Sequence, residues 1–426
     1  MRQLWANRNA RLYLAGYVVS TFGDRVLWLA AGIWVRVLTG SNAEAGLTFF
    51  FLVLPEVIFS PIAGVIADRF QRRSVLIVFN LVGAATVMPL LLVRGTADVW
   101  IIWLVMVVYG AVGTVTSAAG TALVVTVVPD DELGHANGFR QTMAEGMRLV
   151  TPLTGAGLFA AFGASPVVVL DAATFVAAAL LVWLIRVHEV KPEPSQGHWL
   201  AETVAGFHHI WTTMELRQIL YALVLVLAVL GFLETACFAV VTDGLHRPAS
   251  FVGVMISIQG IGAVAGGLTA ARTMKRFGEI RLTSLGVVGM ALGSLALVSP
   301  AILSGVLPGL LVGAGMVIFG FGLPWALVGA NTLIQRRTPL RLQGRVDAAF
   351  GVLFGAFQTV SIGIGAVFVG AFGYVPPVLA VVVVGALSAL YLYTRARVLA
   401  NPTPASDHVP MAASMGQRPP APGQIG

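Results

Sequence analysis

The feature that most constrains this chain is the recurrence of apolar runs close to twenty residues long, separated by short connections that hold nearly all the charge. Leu76 to Val93, Val99 to Ala119, Val167 to Ile185 and Val378 to Tyr393 each approach the ~20 residues an α-helix needs to cross a bilayer. Of 426 residues, 57% are hydrophobic and only 11% charged, and the mean hydropathy is +0.87. Soluble domains carry about a quarter charged residues, so a water-facing globule is excluded. The amphipathic start, Met1 to Asn9, runs into a long apolar segment without a small-residue cleavage pattern, so no cleavable signal peptide is expected.

The pattern predicts an all-α polytopic membrane protein of about twelve transmembrane helices. A first set is expected near 10–38, 43–67, 73–93, 98–127, 138–162 and 166–186, and a second near 217–242, 250–271, 280–299, 302–335, 346–371 and 375–397. Turn-forming stretches separate several of them, among them Gly40-Ser41-Asn42, Gly163-Ala164-Ser165-Pro166 and Tyr374-Val375-Pro376-Pro377. The implied division is a six-helix bundle over 1–186, a cytoplasmic linker over 187–216, a second six-helix bundle over 217–399 and a disordered tail over 400–426. Within the linker, Leu200 to Trp211 has helical apolar spacing and reads as an amphipathic helix lying on the membrane surface.

Charge sets the orientation. Twenty-one of the 26 Lys and Arg residues fall in loops on one side, and only Arg94 and Arg247 on the other. By the positive-inside rule both termini are cytoplasmic, in a cell (inner) membrane. The formal charge of +7 therefore implies contact with lipid headgroups and not with nucleic acid.

The halves repeat. At an offset of 210, Phe22-Gly23-Asp24 meets Phe232-Leu233-Glu234, and Pro129 meets Pro339; near the end of the second span the offset is 203, where Gly64 meets Gly267 and Arg69 meets Arg272. Two such halves are the usual layout for alternating access, with substrate held between them near the midplane.

The sharpest motif is Gly64-Val65-Ile66-Ala67-Asp68-Arg69-Phe70-Gln71-Arg72-Arg73. Gly64 allows close helix approach, Asp68 can accept hydrogen bonds at a helix N-terminus, and Arg69, Arg72 and Arg73 can pair with carboxylates. The residues read as a cytoplasmic gate, or more simply as topology signals. The motif resembles the loop signature of the major facilitator superfamily, with Gln71 at a position usually glycine. Leu4 to Leu12 running into Ser20-Thr21-Phe22-Gly23-Asp24, together with Leu54 to Gly64 and Val128-Pro129, resembles the drug:proton antiporter branch that includes macrolide-efflux and enterobactin-exporter proteins. The resemblance covers about residues 4 to 399. It implies the major facilitator fold, a monomer, and proton-coupled efflux of a drug-like or natural-product molecule. A siderophore or lipid exporter on the same fold, or a solute importer, are the alternatives. Glu56 stands where that branch is usually apolar, and its fifth-helix Gly-Pro element is here Thr151-Pro152-Leu153-Thr154-Gly155.

Ionisable groups inside spans are costly and mark function by default. Asp24, Glu56 and Glu234 are the proton-coupling candidates, with Glu145 next; structural pairing with Arg25 or Arg36 is the plainer reading. Glu145 and Arg148 have the i,i+3 spacing of an ion pair, and Asp171 reads as a cap or helix contact. Trp28 and Phe238 each follow an acid by four residues and so share its helix face; with Trp325 they are candidates to line a cavity for an amphipathic substrate. No phosphate-binding loop is present, so no ATP hydrolysis, cofactor or metal is expected, nor does any cluster suggest an enzyme.

Overall fold

A computed structural model describes residues 2–129, 132–187, 207–339 and 342–400. Among them all regular structure is helical. In chain order the long helices are α1 (Arg8–Thr39), α2 (Asn42–Arg69), α3 (Arg72–Val87), α4 (Val99–Val127), α5 (Leu133–Phe162) and α6 (Ala164–Trp183). Then come α7, in two pieces (Met214–Leu230 and Phe232–Ala239), α8 (Phe251–Phe277), α9 (Glu279–Leu295), α10 (Leu307–Arg337), α11 (Gln343–Phe372) and α12 (Val375–Ala400). The predicted linker before residue 207 and the tail after 400 lie outside the described residues. Residues 207–212 are helical, and Ile210 is buried among apolar residues of the second half.

Local chemistry accounts for the helix ends. The Asn7 side chain accepts from the amides of Asn9 and Ala10 and starts α1. Gly40, at φ +70°, ends α1 in the left-handed conformation, and the Ser41 side chain then caps α2. The sequence repeat extends to such details. Gly163 and Gly373, 210 residues apart, end α5 and α11 at φ 78° and 73°. The amides of Glu132 and Leu342 bond to the carbonyls of Pro129 and Pro339, at 2.9 and 2.8 Å.

Among the described residues, eleven helical segments are long and apolar enough to cross a membrane. The remaining long helix, α5, falls short, carrying Arg140, Glu145 and Arg148 in and around its first half. Packing repeats with the sequence: α1 against α5 and α6, α2 against α4, and α3 against α4 and α6 recur as α7 against α11 and α12, α8 against α10, and α9 against α10 and α12. The halves meet through α2 with α11 and α5 with α8, pairings that the same pseudo-twofold relation exchanges. A departure is α7. Sequence periodicity reads a continuous helix there, but the helix breaks at Gly231. A Cβ at Gly231 would stand 2.6 Å from the Ile362 amide nitrogen, so only glycine lets α7 and α11 approach this closely.

Candidate functional site

Between the halves lies a cavity of about 550 Å³, within the range of small-molecule sites. Its walls come from α1, α2 and α5 on one side and α7, α8, α9, α10 and α11 on the other. Most are apolar or aromatic. Trp28 packs on Phe49, with ring centroids 5.0 Å apart, and Phe49 lies 5.9 Å from Phe238. Four charged side chains interrupt them: Arg25, Glu56, Arg148 and Glu234. Arg148 is the charged residue that α5 brings to the cavity wall, whereas Arg140 stacks over the Tyr13 and Tyr17 rings of α1. Glu145 and Arg148 form an ion pair at 3.5 Å, each about half exposed (47% and 46%); such an exposed pair is worth little in stability.

The cavity is sealed on the side away from the termini. There α1, α2 and the π-helical turn Val240–Gly244 after α7 meet in a polar cluster. Arg36 Nε donates to Asn42 Oδ1 at 2.6 Å, and Asn42 Nδ2 donates to Asp243 Oδ2 at 2.7 Å. Arg36 also reaches Asp243 at 3.5 Å, and the single hydroxyl proton of Thr242 has Asn42 Oδ1 and Asp243 Oδ1 within reach, at 3.1 and 2.7 Å. Nothing in the sequence pointed to this cluster, because its members lie about 200 positions apart. On the side of the termini, exposed Glu56, Glu145 and Arg148 mark the open mouth.

The predicted site residues divide. Glu234, Glu56, Trp28 and Phe238 line the cavity, as does Cys237. Glu234 continues the cavity face of α7 that Leu227, Leu230 and Gly231 begin. Asp24 does not line it; its neighbour Arg25 does. Successive helical residues point about 100° apart, and here the acid turns into the first half. Tyr109 of α4 donates to Asp24 Oδ1 at 2.7 Å and lies 3.3 Å from Asp171 Oδ1 on α6. Asp171 is therefore no cap: it is completely buried, two turns inside α6. Tyr109 was missed as a site residue, since a tyrosine in an apolar run carries no local signal, and Asp171, legible as a costly acid and a helix contact, gave no sign of its partner. Trp325 corrects the other way. Its indole donates to Gly266 O and Thr269 Oγ1, both at 3.0 Å, and packs on Phe321, which makes it a contact between α8 and α10.

The motif at the end of α2 also differs from its sequence reading. A Cβ at Gly64 would meet nothing within 4 Å, so this glycine marks no close helix contact here. Arg69 is exposed, and the Asp68 side chain lies outside what the structure describes. Arg72 donates to Thr126 Oγ1 at 3.1 Å, and Arg73 to the carbonyls of Val182 and Trp183. These bonds tie the start of α3 to the carbonyl ends of α4 and α6, where positive charge is favoured. In the second half Arg336 bonds Glu279, joining α10 to α9.

A family model described as Major Facilitator Superfamily matches residues 13–357. Macrolide efflux protein A of Streptococcus pyogenes is 24% identical over 175 residues, 41% of this chain and 43% of that protein; the match thus spans less than half of that relative. Multidrug efflux pump Tap of Mycolicibacterium fortuitum is 26% identical over 329 residues, 74% of this chain and 78% of Tap. Among solved structures, a bacterial homologue of the iron transporter ferroportin in its inward-facing state superposes with a TM-score of 0.70 at 16% identity, over 90% of this chain and 98% of that one. At that identity the likeness concerns the fold.

Proposed function

The chain belongs to the major facilitator superfamily, and from that premise we propose that it is a secondary transporter that exports amphipathic small molecules in exchange for protons. It is a transporter and not an enzyme. The observation that carries the export reading is the cavity itself: aromatic, crossed by two cations and two acids, open toward the termini and sealed beyond. The loop charge bias puts the termini in the cytoplasm, so the open mouth takes substrate from inside the cell. Apolar walls suit a large apolar body, and the charged groups suit an ionisable substituent. Relatives named for macrolide and multidrug efflux support the same class of substrate.

In the opposite state the Arg36–Asp243 cluster opens and the 64–73 motif closes the cytoplasmic side. Glu234 is the cavity acid for which substrate and proton compete, giving antiport by mutual exclusion. The unit of transport is the monomer, since both halves of the cavity come from one chain.

The test uses the purified protein in liposomes with an imposed pH gradient, assayed with ethidium, macrolides and siderophores. Cys237, the chain's single cysteine, supplies a second readout on the cavity wall. A transported compound should protect it from maleimide. If no compound in the panel moves against its gradient or protects Cys237, the export reading is wrong.

A further inference from the structure

The acids of the first half do not all serve the cavity. We propose that Asp24, Tyr109 and Asp171 form a proton-binding site enclosed within the first half, separate from the substrate cavity, that holds a proton between two carboxyl groups and ties its loading to the position of α1. The inference rests on the proton-coupled reading above for its role in transport, but its evidence is independent geometry.

Tyr109 has one hydroxyl proton, and two carboxyl oxygens lie within its reach, at 2.7 and 3.3 Å. Among the described residues no guanidinium or ammonium pairs with either acid. Asp171 is 0% exposed, and its Oδ2 is buried without a hydrogen-bond partner. A naked charge there would cost many kcal/mol, and because Tyr109 has one proton to donate, ionising both acids would leave one buried charge without that hydrogen bond. One carboxyl oxygen of the pair therefore keeps a proton, and the exchangeable one enters at Asp24, whose surface is partly accessible. On loading, a carboxylate oxygen gains an O–H bond and the pair becomes neutral; on release it returns to a single shared negative charge.

The surroundings supply the link to movement. A Cβ at Gly23 would lie 1.9 Å from Thr174 Oγ1 and 2.8 Å from Asp171 Oδ1, so α1 and α6 are in close contact at this level. The charged neighbour of the pair is Arg25, next to Asp24 on α1; Arg148 and Glu145 of α5 act in turn on Arg25, and Glu56 of α2 lines the cavity that Arg25 faces. Arg25 adjoins Asp24 and faces the cavity, so a charge change at the pair is felt where substrate binds.

Infrared spectroscopy of the purified protein, titrated in H₂O and D₂O, tests the site directly through the C=O stretch of a protonated carboxyl group. Wild type should show a band that shifts in D₂O and that Asp171→Asn or Asp24→Asn removes. Tyr109→Phe should move its frequency, through the lost hydrogen bond, without abolishing it. Trp325→Phe serves as the handling control. Spectra of both Asn variants identical to wild type at every pH would overturn the site. In liposomes, Asp171→Asn should lower gradient-driven ethidium accumulation at least tenfold. Loss of the band with accumulation as in wild type removes the coupling role. Failure of wild type itself to accumulate any compound counts against proton-coupled export, and the infrared result alone then decides the proton site.

Discussion

The two halves share a plan and differ in what fills it. In the second half, α8, α9 and α10 pack through glycines against backbone: a Cβ would lie 2.1 Å from Val317 O at Gly262, 1.9 Å from Gln259 O at Gly320 and 2.4 Å from Gly286 O at Gly322. The first half has fewer such contacts: a Cβ at Gly110, 210 residues before Gly320, would lie 2.1 Å from Leu52 O and one at Gly155 2.7 Å from Val26 O, whereas Gly64 and Gly113 on α2 and α4 meet nothing within 4 Å. That half also holds Asp24, Tyr109 and Asp171 and presents Arg25 and Arg148 to the cavity. Small residues permit close approach of helices in lipid, where packing and not water exclusion holds them together. The second half is thus a closely packed wall with a single acid, Glu234, among its cavity residues. The first half carries most of the polar chemistry. A duplicated backbone does not require duplicated function.

Breaking the packing side of this contrast should have the largest effect. Gly320→Val places side-chain atoms on a carbonyl that cannot yield; overpacking costs ~1–3 kcal/mol or more, and here the folded yield should collapse in fluorescence-detected size exclusion. Gly113→Val should leave it near normal. Equal damage from both variants would erase the contrast.

Next is Glu234→Gln, which should reduce uphill export at least about tenfold, a change of ~1.4 kcal/mol, and flatten its pH dependence between outward gradients of different size. Unchanged uphill transport would move proton competition out of the second half. A smaller effect is expected for Phe238→Leu, which keeps a large apolar group at this buried position: losing an aromatic pair worth ~0.5–1.5 kcal/mol should weaken apparent substrate affinity a few-fold in a Cys237 protection assay. An unchanged affinity would take Phe238 out of the binding wall.

The smallest concerns the seal where the halves meet. Asp243 is 52% exposed and its contact with Arg36 is long, at 3.5 Å, so the pair is worth at most ~1 kcal/mol. Asp243→Asn should raise labelling of Cys237 by an impermeant maleimide added outside by no more than a few-fold. No rise would show that the apolar contacts around Phe49 and Phe238 hold this side closed.

The sequence by itself determined the membrane-spanning all-helical architecture, because lipid forces every span to be long, apolar and helical, and those demands are written locally in the chain. It also determined the duplication, down to Pro129 with Pro339, since turns are specified by the residues that form them. The acids were legible as candidates for the same reason, a charge in an apolar run being conspicuous. Which way each one faces was not. Asp24 and Arg25 are neighbours on one helix, and only the packing of α1 against α4, α5 and α6 sends the arginine to the cavity and the acid to Tyr109 and Asp171. Trp325 was equally ambiguous until Gly266 and Thr269 took its indole N–H. The break in α7 and the Arg36–Asp243 seal depend on contacts between residues more than a hundred positions apart. Only tertiary structure could decide them, because hydrogen bonding and close approach act across space and leave no period in the sequence.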